Sequence, residues 1–539
     1  MEPAAASKPH PFSYALPYVS NRQPLLARNV VSTSQPLAAQ AGLRMLLKGG
    51  SAVDAALAAA IALTVTEPCS NGLGSDLFCI LWDPKTQKLL GLNASGRAPA
   101  AWSPARFEGL SAMPRTGWDT VTIPGCVSGW TALSERFGKL PFADLFEPGI
   151  DYARRGHMVA PIVAMKWKNA VPIFENVPGW AETFMPRGRA VATGELFQCE
   201  AMARTMEKIA ATKGEAYYRG ELAAAMVAHA QSLGGAHTLA DFANHACDWV
   251  EPIGIDYRGS TVHEIPPNGQ GIAALMALGI VENFDLAALP VDSPASLHLQ
   301  VEAMKLAFAD VYRYVSDPRT MTVTPAQMLD KSYLKERAKL IDPKRCGNFT
   351  YGTPGAGGTV YLTAADESGM MVSLIQSNYQ GFGSGIVVPG TGISLQNRGS
   401  GFTLQAGHPN QVDGGKRPFH TIIPGFMTKN GRPQLSFGIM GGSMQPQAHL
   451  QTMVRLLDHG QNPQACLDAP RWRVDPDHML DLEPQAAPES RTGLEDLGHT
   501  LIAKYDAYMD FGAGQFIYKV DDGYVAGSDW RRDGQAVGY

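Results

Sequence analysis

Gly357-Gly358-Thr359-Val360-Tyr361-Leu362-Thr363-Ala364-Ala365 is followed by Asp366-Glu367-Ser368-Gly369 and then by the run Met370 to Ser377. The order is two glycines, a hydroxyl residue, a strand, a turn and a second strand. A chain needs this order if it is to cut itself before a threonine and then use that threonine as a nucleophile. A threonine hydroxyl alone attacks poorly near neutral pH. Cleavage before it frees an α-amino group of pKa about 7.7–8.0, a base placed beside the hydroxyl. The flanking glycines let the backbone bend toward that attack. The plainer reading, a threonine that merely starts a strand, is weighed against two further features. Ser377 lies on the second strand, where its hydroxyl can face Thr359. Gly441-Gly442 opens a predicted helix whose N–H groups can hold an oxyanion. The sequence holds no G-x-S-x-G, H-E-x-x-H or Walker pattern to compete.

Outward from this point the composition changes. Residues 342–358 are polar with several Gly and Pro, which predicts a linker ending at Thr359. Beyond it, strands are predicted over 360–365, 370–377, 386–395, 420–429 and 434–438. A helix over Gln445 to Leu457 and further short strands follow. Upstream, helices are predicted over Gln35 to Lys48, Asp54 to Val65, Phe146 to Arg155, Cys199 to Thr212, Glu221 to Leu233, Pro294 to Ser316 and Ser332 to Ile341. The helix after Asp54 is apolar almost all round and is expected to be buried, with Asp54 as an ion-pair or capping partner. A hairpin is predicted from Leu77–Trp82 and Leu89–Asn93, and an extended arm over residues 1–25.

Composition narrows the class. A net charge of −5 disfavours nucleic acid or an anionic membrane as the main partner. The N-terminus lacks the apolar core of a signal peptide, and Ala52 to Val65 is too short to span a bilayer, so a cytoplasmic protein is expected. The seven cysteines are scattered and free of C-x-x-C spacing, which predicts reduced thiols and no zinc site.

Taken in order, several stretches resemble the γ-glutamyltransferase family, proenzymes of the N-terminal nucleophile hydrolase superfamily. They are Gly49 to Ala56, Glu67 to Asp76, Ile123 to Gly129, Leu145 to Pro148, Gly214 to Tyr218, Phe382 to Gly385, Lys416 to Pro418 and Gly441 to Ser443. The resemblance implies an α+β fold, a four-layer αββα sandwich built jointly by a large subunit, 1–358, and a small one, 359–539. It implies cleavage between Gly358 and Thr359. Thr359 is then the nucleophile, Ser377 its hydroxyl partner, and Gly441 and Gly442 the oxyanion glycines. It implies no metal or organic cofactor, and higher oligomers are compatible with it.

The substrate positions depart from the family's. The arginine that grips a γ-glutamyl α-carboxylate is here Ser95, with Arg97 two residues on. The acid that grips the α-amine is Gly401, and Arg398 stands in place of a glutamine. The serine pair after Arg-Pro is His420-Thr421, and Tyr379, beside Asn378, replaces an asparagine. Arg398, Arg97, Tyr379, Asn378, His420 and Thr421 are therefore the candidate substrate contacts, although the two arginines also have a structural reading. An ammonium group buried without an acid costs several kcal/mol, whereas an arginine favours a carboxylate. The expected substrate is a small amide with an anionic acyl end and no α-amine, glutaryl- or oxamate-like. The segment between Phe402 and Lys416 looks short, which predicts an open pocket. Two alternatives stand beside this one: a true γ-glutamyltransferase or glutathione hydrolase, and an unprocessed binding relative.

Overall fold

A computed structural model describes residues 22–177, 179–349, 358–503 and 511–539; of residues 358–360 only the backbone is described. The chain enters through β1 (Leu25–Ala27) and β2 (Val30–Thr33), then two helices, α1 (Pro36–Leu47) and α2 (Ala52–Thr66). The hairpin β3 (Asp76–Asp83) and β4 (Lys88–Ala94) and helix α3 (Cys126–Phe137) follow. After a helical excursion come β5 (Asp248–Val250), β6 (Ile253–Tyr257), β7 (Ser260–Glu264), α4 (Gly271–Val281) and α5 (Pro294–Tyr314). The remainder holds β8 (Gly358–Ala365), β9 (Met371–Tyr379), β10 (Gly425–Lys429), β11 (Arg432–Met440), α6 (Met444–Met453), β12 (Ala513–Val520), β13 (Gly523–Ser528) and β14 (Gln535–Gly538).

These strands form two antiparallel sheets of seven, ordered β14-β2-β8-β9-β3-β4-β5 and β1-β13-β12-β11-β10-β7-β6. Strand alternation fixes how they stack. Phe78, Ile80 and Trp82 of β3, with Tyr361 and Ile375, meet Phe426 and Ile517 of the second sheet and Ile422 just before β10. The opposite face of β3, Leu77, Cys79 and Leu81, packs under α2 and α3. On the far side, α4, α5 and α6 cover Val262, Met427, Leu435 and Phe437. The order helix, sheet, sheet, helix is the αββα sandwich expected. Both faces of β3 are covered, which is why Leu77 to Trp82 is uninterruptedly apolar. Both sheets interleave strands from before and after position 358, so the two sides of that position build both sheets together.

Helix α2 is buried along its whole length, and the reason lies at its N-terminus. Ser51 and Asp54 form a capping box. The Asp54 Oδ2 also accepts the N–H groups of Lys139 (2.8 Å) and Leu140 (3.3 Å). One carboxylate thus caps the helix and anchors the chain after α3. Asp54→Ala strands these donors, and a loss of about 2–4 kcal/mol in unfolding free energy is expected. It is read as a lower urea midpoint at unchanged slope; a shift worth under about 0.5 kcal/mol would refute the anchoring role.

Some expectations change. The strand expected over 386–395 is a short pair, Val387–Val388 and Ile393–Ser394, separated by Gly390 and Gly392 at φ of 73° and 67°. The strand expected from 420 starts at Gly425. The helix from Gln445 becomes π-helical over Val454–Asp458. Strands β5 to β7 and helix α4 lie where no element was assigned. The arm predicted for 1–25 lies outside the described residues up to 21, as does the predicted linker from 350 to 357. The seven cysteines are free thiols, and among the described residues no helix is long and apolar enough to cross a membrane.

Candidate active site

Strand β8 begins at the two residues singled out by sequence. Gly358 pairs with Tyr379 and Val360 with Gln376, so Thr359 stands opposite both Ser377 and Asn378. This β-bulge bends β9 at the position facing the candidate nucleophile. The Thr359 hydroxyl itself lies outside the described atoms. Ser377 is buried and its Oγ accepts the Tyr379 N–H at 2.7 Å. On its other side Ser377 is in register with Asp76 at the start of β3. Residues Thr359, Ser377 and Asp76 therefore form one row across three adjacent strands.

Gly441 and Gly442 follow β11, a strand of the facing sheet. Their φ angles, 128° and 60°, are those glycine tolerates, and a Cβ on Gly441 would lie 2.9 Å from the Gly512 Cα. The first turn of the helix takes both carbonyls: Met444 N–H reaches Gly441 O at 3.0 Å and Gln445 N–H reaches Gly442 O at 3.2 Å. In a trans peptide the N–H points opposite the preceding carbonyl, so the Gly442 N–H is directed away from the helix.

Arg398 lies on a short 3₁₀ turn and is 1 % exposed. Its Nη1 donates to Thr421 Oγ1 at 2.8 Å, while Nε and Nη2 have no partner. The guanidinium lies over the Tyr379 ring, 4.6 Å from its centroid. Tyr379 holds that place at a φ of 77°, rare for a bulky side chain. Burial lowers the Arg398 pKa to about 10. His420, next to Thr421, is fully buried, and burial with the nearby Arg398 keeps it neutral, far below the usual histidine range. Its Nδ1 accepts the Ile422 N–H at 3.4 Å, which leaves Nε2–H to donate to Asp76 Oδ2 at 3.2 Å. Asp76 Oδ1 accepts from Gly96 (3.2 Å) and Gly125 (3.1 Å). Burial nevertheless pushes the Asp76 carboxyl up to about 7, against the pull of Arg398 and these donors. Asn378 accepts from Ser75 Oγ at 2.8 Å and leaves its Nδ2 unpartnered.

A cleft of about 800 Å³ opens beside this cluster. Tyr312, Tyr379, Phe402 and Phe419 supply aromatic walls, Arg115 and His408 the basic groups, and among the described residues no Asp or Glu lines it. Arg97 does not join the cluster. It pairs with Asp317 at 3.1 Å and Asp248 at 3.6 Å and lines a separate cavity of about 180 Å³. Of the candidate substrate contacts, five converge and Arg97 stands apart. Sequence reasoning missed Asp76, whose one signal was an acid ending the small-residue loop before an apolar strand. It also missed Gln270, a buried residue whose Nε2 donates to Gly442 O at 2.8 Å. Elsewhere, His298, Glu302 and His499 lie together, but the imidazoles bond each other at 2.7 Å and Lys305 pairs with Glu302 at 2.7 Å, so these groups are already committed.

A family model described as gamma-glutamyltranspeptidase matches residues 38–539. The chain is 35% identical over 528 residues to the glutathione hydrolase-like YwrD proenzyme of Bacillus subtilis (strain 168), covering 96% of this chain and 100% of the relative. It is 33% identical over 515 residues to the oxamate amidohydrolase proenzyme of Klebsiella pneumoniae subsp. pneumoniae, covering 93% and 97%. The crystal structure of a cephalosporin acylase from Bacillus halodurans superposes with a TM-score of 0.94 at 46% identity, over 98% of this chain and 99% of that one.

Proposed function

Since this chain belongs to the gamma-glutamyltranspeptidase family, we propose that it is a self-processing amidohydrolase with Thr359 as nucleophile, acting on an amide whose acyl half ends in a carboxylate and carries no α-amine. The observation that carries the acyl class is Arg398: a buried guanidinium with two unpaired donors. Leaving such donors desolvated is costly, and a carboxylate satisfies both in one bidentate contact. Among the described residues nothing comparable awaits an ammonium group. Gly401 leaves no room for an acid, since a Cβ there would meet Phe419 O at 2.5 Å. Asp76 is already occupied by Gly96, Gly125 and His420.

The steps follow from chemistry. The Thr359 α-amine takes the hydroxyl proton as Oγ attacks the amide carbon. The developing oxyanion is met by N–H groups at Gly441 and Gly442. The amine leaves with the proton, and water repeats the attack on the acyl-enzyme. The aromatic, acid-free cleft suits a bulky amine half, which favours a glutaryl-type amide over oxamate. The name cephalosporin acylase of the Bacillus halodurans neighbour is compatible with that shape. γ-Glutamyl hydrolysis is the second reading, supported by the glutathione hydrolase-like relative.

Initial rates of the processed protein on glutaryl-p-nitroanilide, γ-glutamyl-p-nitroanilide and oxamate decide between these. The glutaryl compound should be fastest; γ-glutamyl turnover faster by orders of magnitude would overturn the reading. A pH dependence also follows. Asp76 titrates near 7, so below that pH it is neutral and Arg398 attracts an anion undiminished. Above it, Asp76 is ionised and weakens the attraction. The KM for the glutaryl amide should rise up to about tenfold, worth about 1.4 kcal/mol, between pH 6 and 8.5. Asp76→Asn should flatten that rise, and an equal rise in the variant would exclude Asp76 as its source.

A further inference from the structure

Gln270 sits at the N-terminus of α4 and is fully buried. Its segment runs beside 418–421: the His420 N–H donates to Asn268 O and the Gln270 N–H to His420 O, both at 2.9 Å. The side chain then does something backbone pairing cannot. Its Nε2 donates to Thr421 O at 2.6 Å and to Gly442 O at 2.8 Å. Thr421 is the residue whose hydroxyl holds Arg398, and Gly442 belongs to the turn assigned to the oxyanion. One carboxamide therefore ties the acid-recognition corner to the oxyanion turn, across 151 residues to one and 172 to the other. Its Oε1 is buried with no partner, so the group is held here by its two donor contacts alone. An unpaired buried acceptor is a cost that packing does not explain.

We propose that Gln270 is a positioning residue for acyl transfer: by gripping the Gly442 and Thr421 carbonyls together it pins the Gly442–Ser443 peptide, the unit next to the one that carries the Gly442 N–H, and so holds the oxyanion turn in place relative to the bound acyl chain. This rests on the amidohydrolase reading above. A misplaced oxyanion donor lowers transition-state stabilisation without weakening ground-state binding, so the effect belongs in kcat. Losing such a donor outright costs on the order of 10²–10³ in kcat, and misaligning it should cost a substantial part of that.

The test uses two near-isosteric variants of the full chain. Gln270→Met removes both polar atoms. Gln270→Glu places a carboxylate oxygen against two carbonyls at pH 8 but regains one donor when protonated. On glutaryl-p-nitroanilide, Gln270→Met should lose kcat by about 30- to 100-fold at every pH, with KM within threefold of the parent. Gln270→Glu should lose as much at pH 8 and recover at least tenfold relative to the parent at pH 5.5, a rescue that a packing role does not give. Glutarate, titrated calorimetrically into both variants, should bind within threefold of the parent. Retained kcat in both variants, a rise in KM without loss of kcat, an absent low-pH rescue, or loss of glutarate binding together with activity would each overturn the proposal. If the parent itself does not turn over the glutaryl amide, the acyl-class reading fails. The variants are then compared by the rate at which the precursor cleaves at Gly358–Thr359; slower cleavage with the same low-pH rescue supports positioning, and unchanged cleavage overturns it.

Discussion

Thr359→Ala is expected to leave the 57.8 kDa chain as a single band on denaturing electrophoresis, with no turnover of any amide. The parent should give two bands, the smaller beginning at Thr359 by N-terminal sequencing. On the proposed mechanism self-cleavage and catalysis draw on the same hydroxyl, so one substitution should remove both. Alanine keeps the backbone donors and the fold but supplies no nucleophile, and a loss on the order of 10⁶ in kcat is the scale for such a removal. Thr359→Ser separates the roles, since it keeps a hydroxyl without the methyl group that restricts its rotamer. It should still cleave, more slowly. A parent chain that stays whole on prolonged incubation would remove the enzyme reading altogether and favour an unprocessed binding protein. Because both sheets interleave strands from each side of position 358, the two products should stay together through gel filtration in the absence of denaturant.

Arg398→Ala should lower kcat/KM on the glutaryl amide by about 10²–10³ while changing a butyryl amide, which has no terminal carboxylate, by less than about fivefold. The figure corresponds to about 3–4 kcal/mol, the range found when one partner of a buried, hydrogen-bonded charge pair is truncated. Arg398→Lys should recover little, because an ammonium group cannot reproduce the two-pronged contact or the stacking over Tyr379. Equal losses on the glutaryl and butyryl amides would mean that Arg398 supports the fold rather than the acid. The same result would remove the KM rise expected from Asp76, whose effect acts through Arg398.

The hairpin that opens the second half was legible because its evidence is local. Two short, largely apolar runs, 360–365 and 370–377, with a glycine turn between, suffice for β8 and β9. Helix α2 was legible for the same reason: an uninterrupted apolar run behind a capping serine and aspartate. The strands over 248–264 were not, being short and only half-buried, so their alternation is diluted by exposed polar residues. Helix α4, Gly271–Val281, is apolar on every side and offers no helical period to detect. Arg97 and Arg398 looked equivalent in sequence. The fold gave one to Asp317 and Asp248 and left the other with two free donors.

By itself the sequence determined the reaction class expected of this chain and most of the order of its elements. A threonine after two glycines, a hydroxyl residue on the next strand and a glycine pair before a helix are properties of neighbouring residues and survive being read in line. The tertiary structure decided what the site can hold. Asp76 meets His420 across 344 positions and Gln270 meets Gly442 across 172, distances at which sequence carries no record of contact. Whether an arginine is paired, whether a carboxyl is desolvated and which carbonyl an amide grips are set by burial. Burial is a property of the assembled sheets rather than of any one strand.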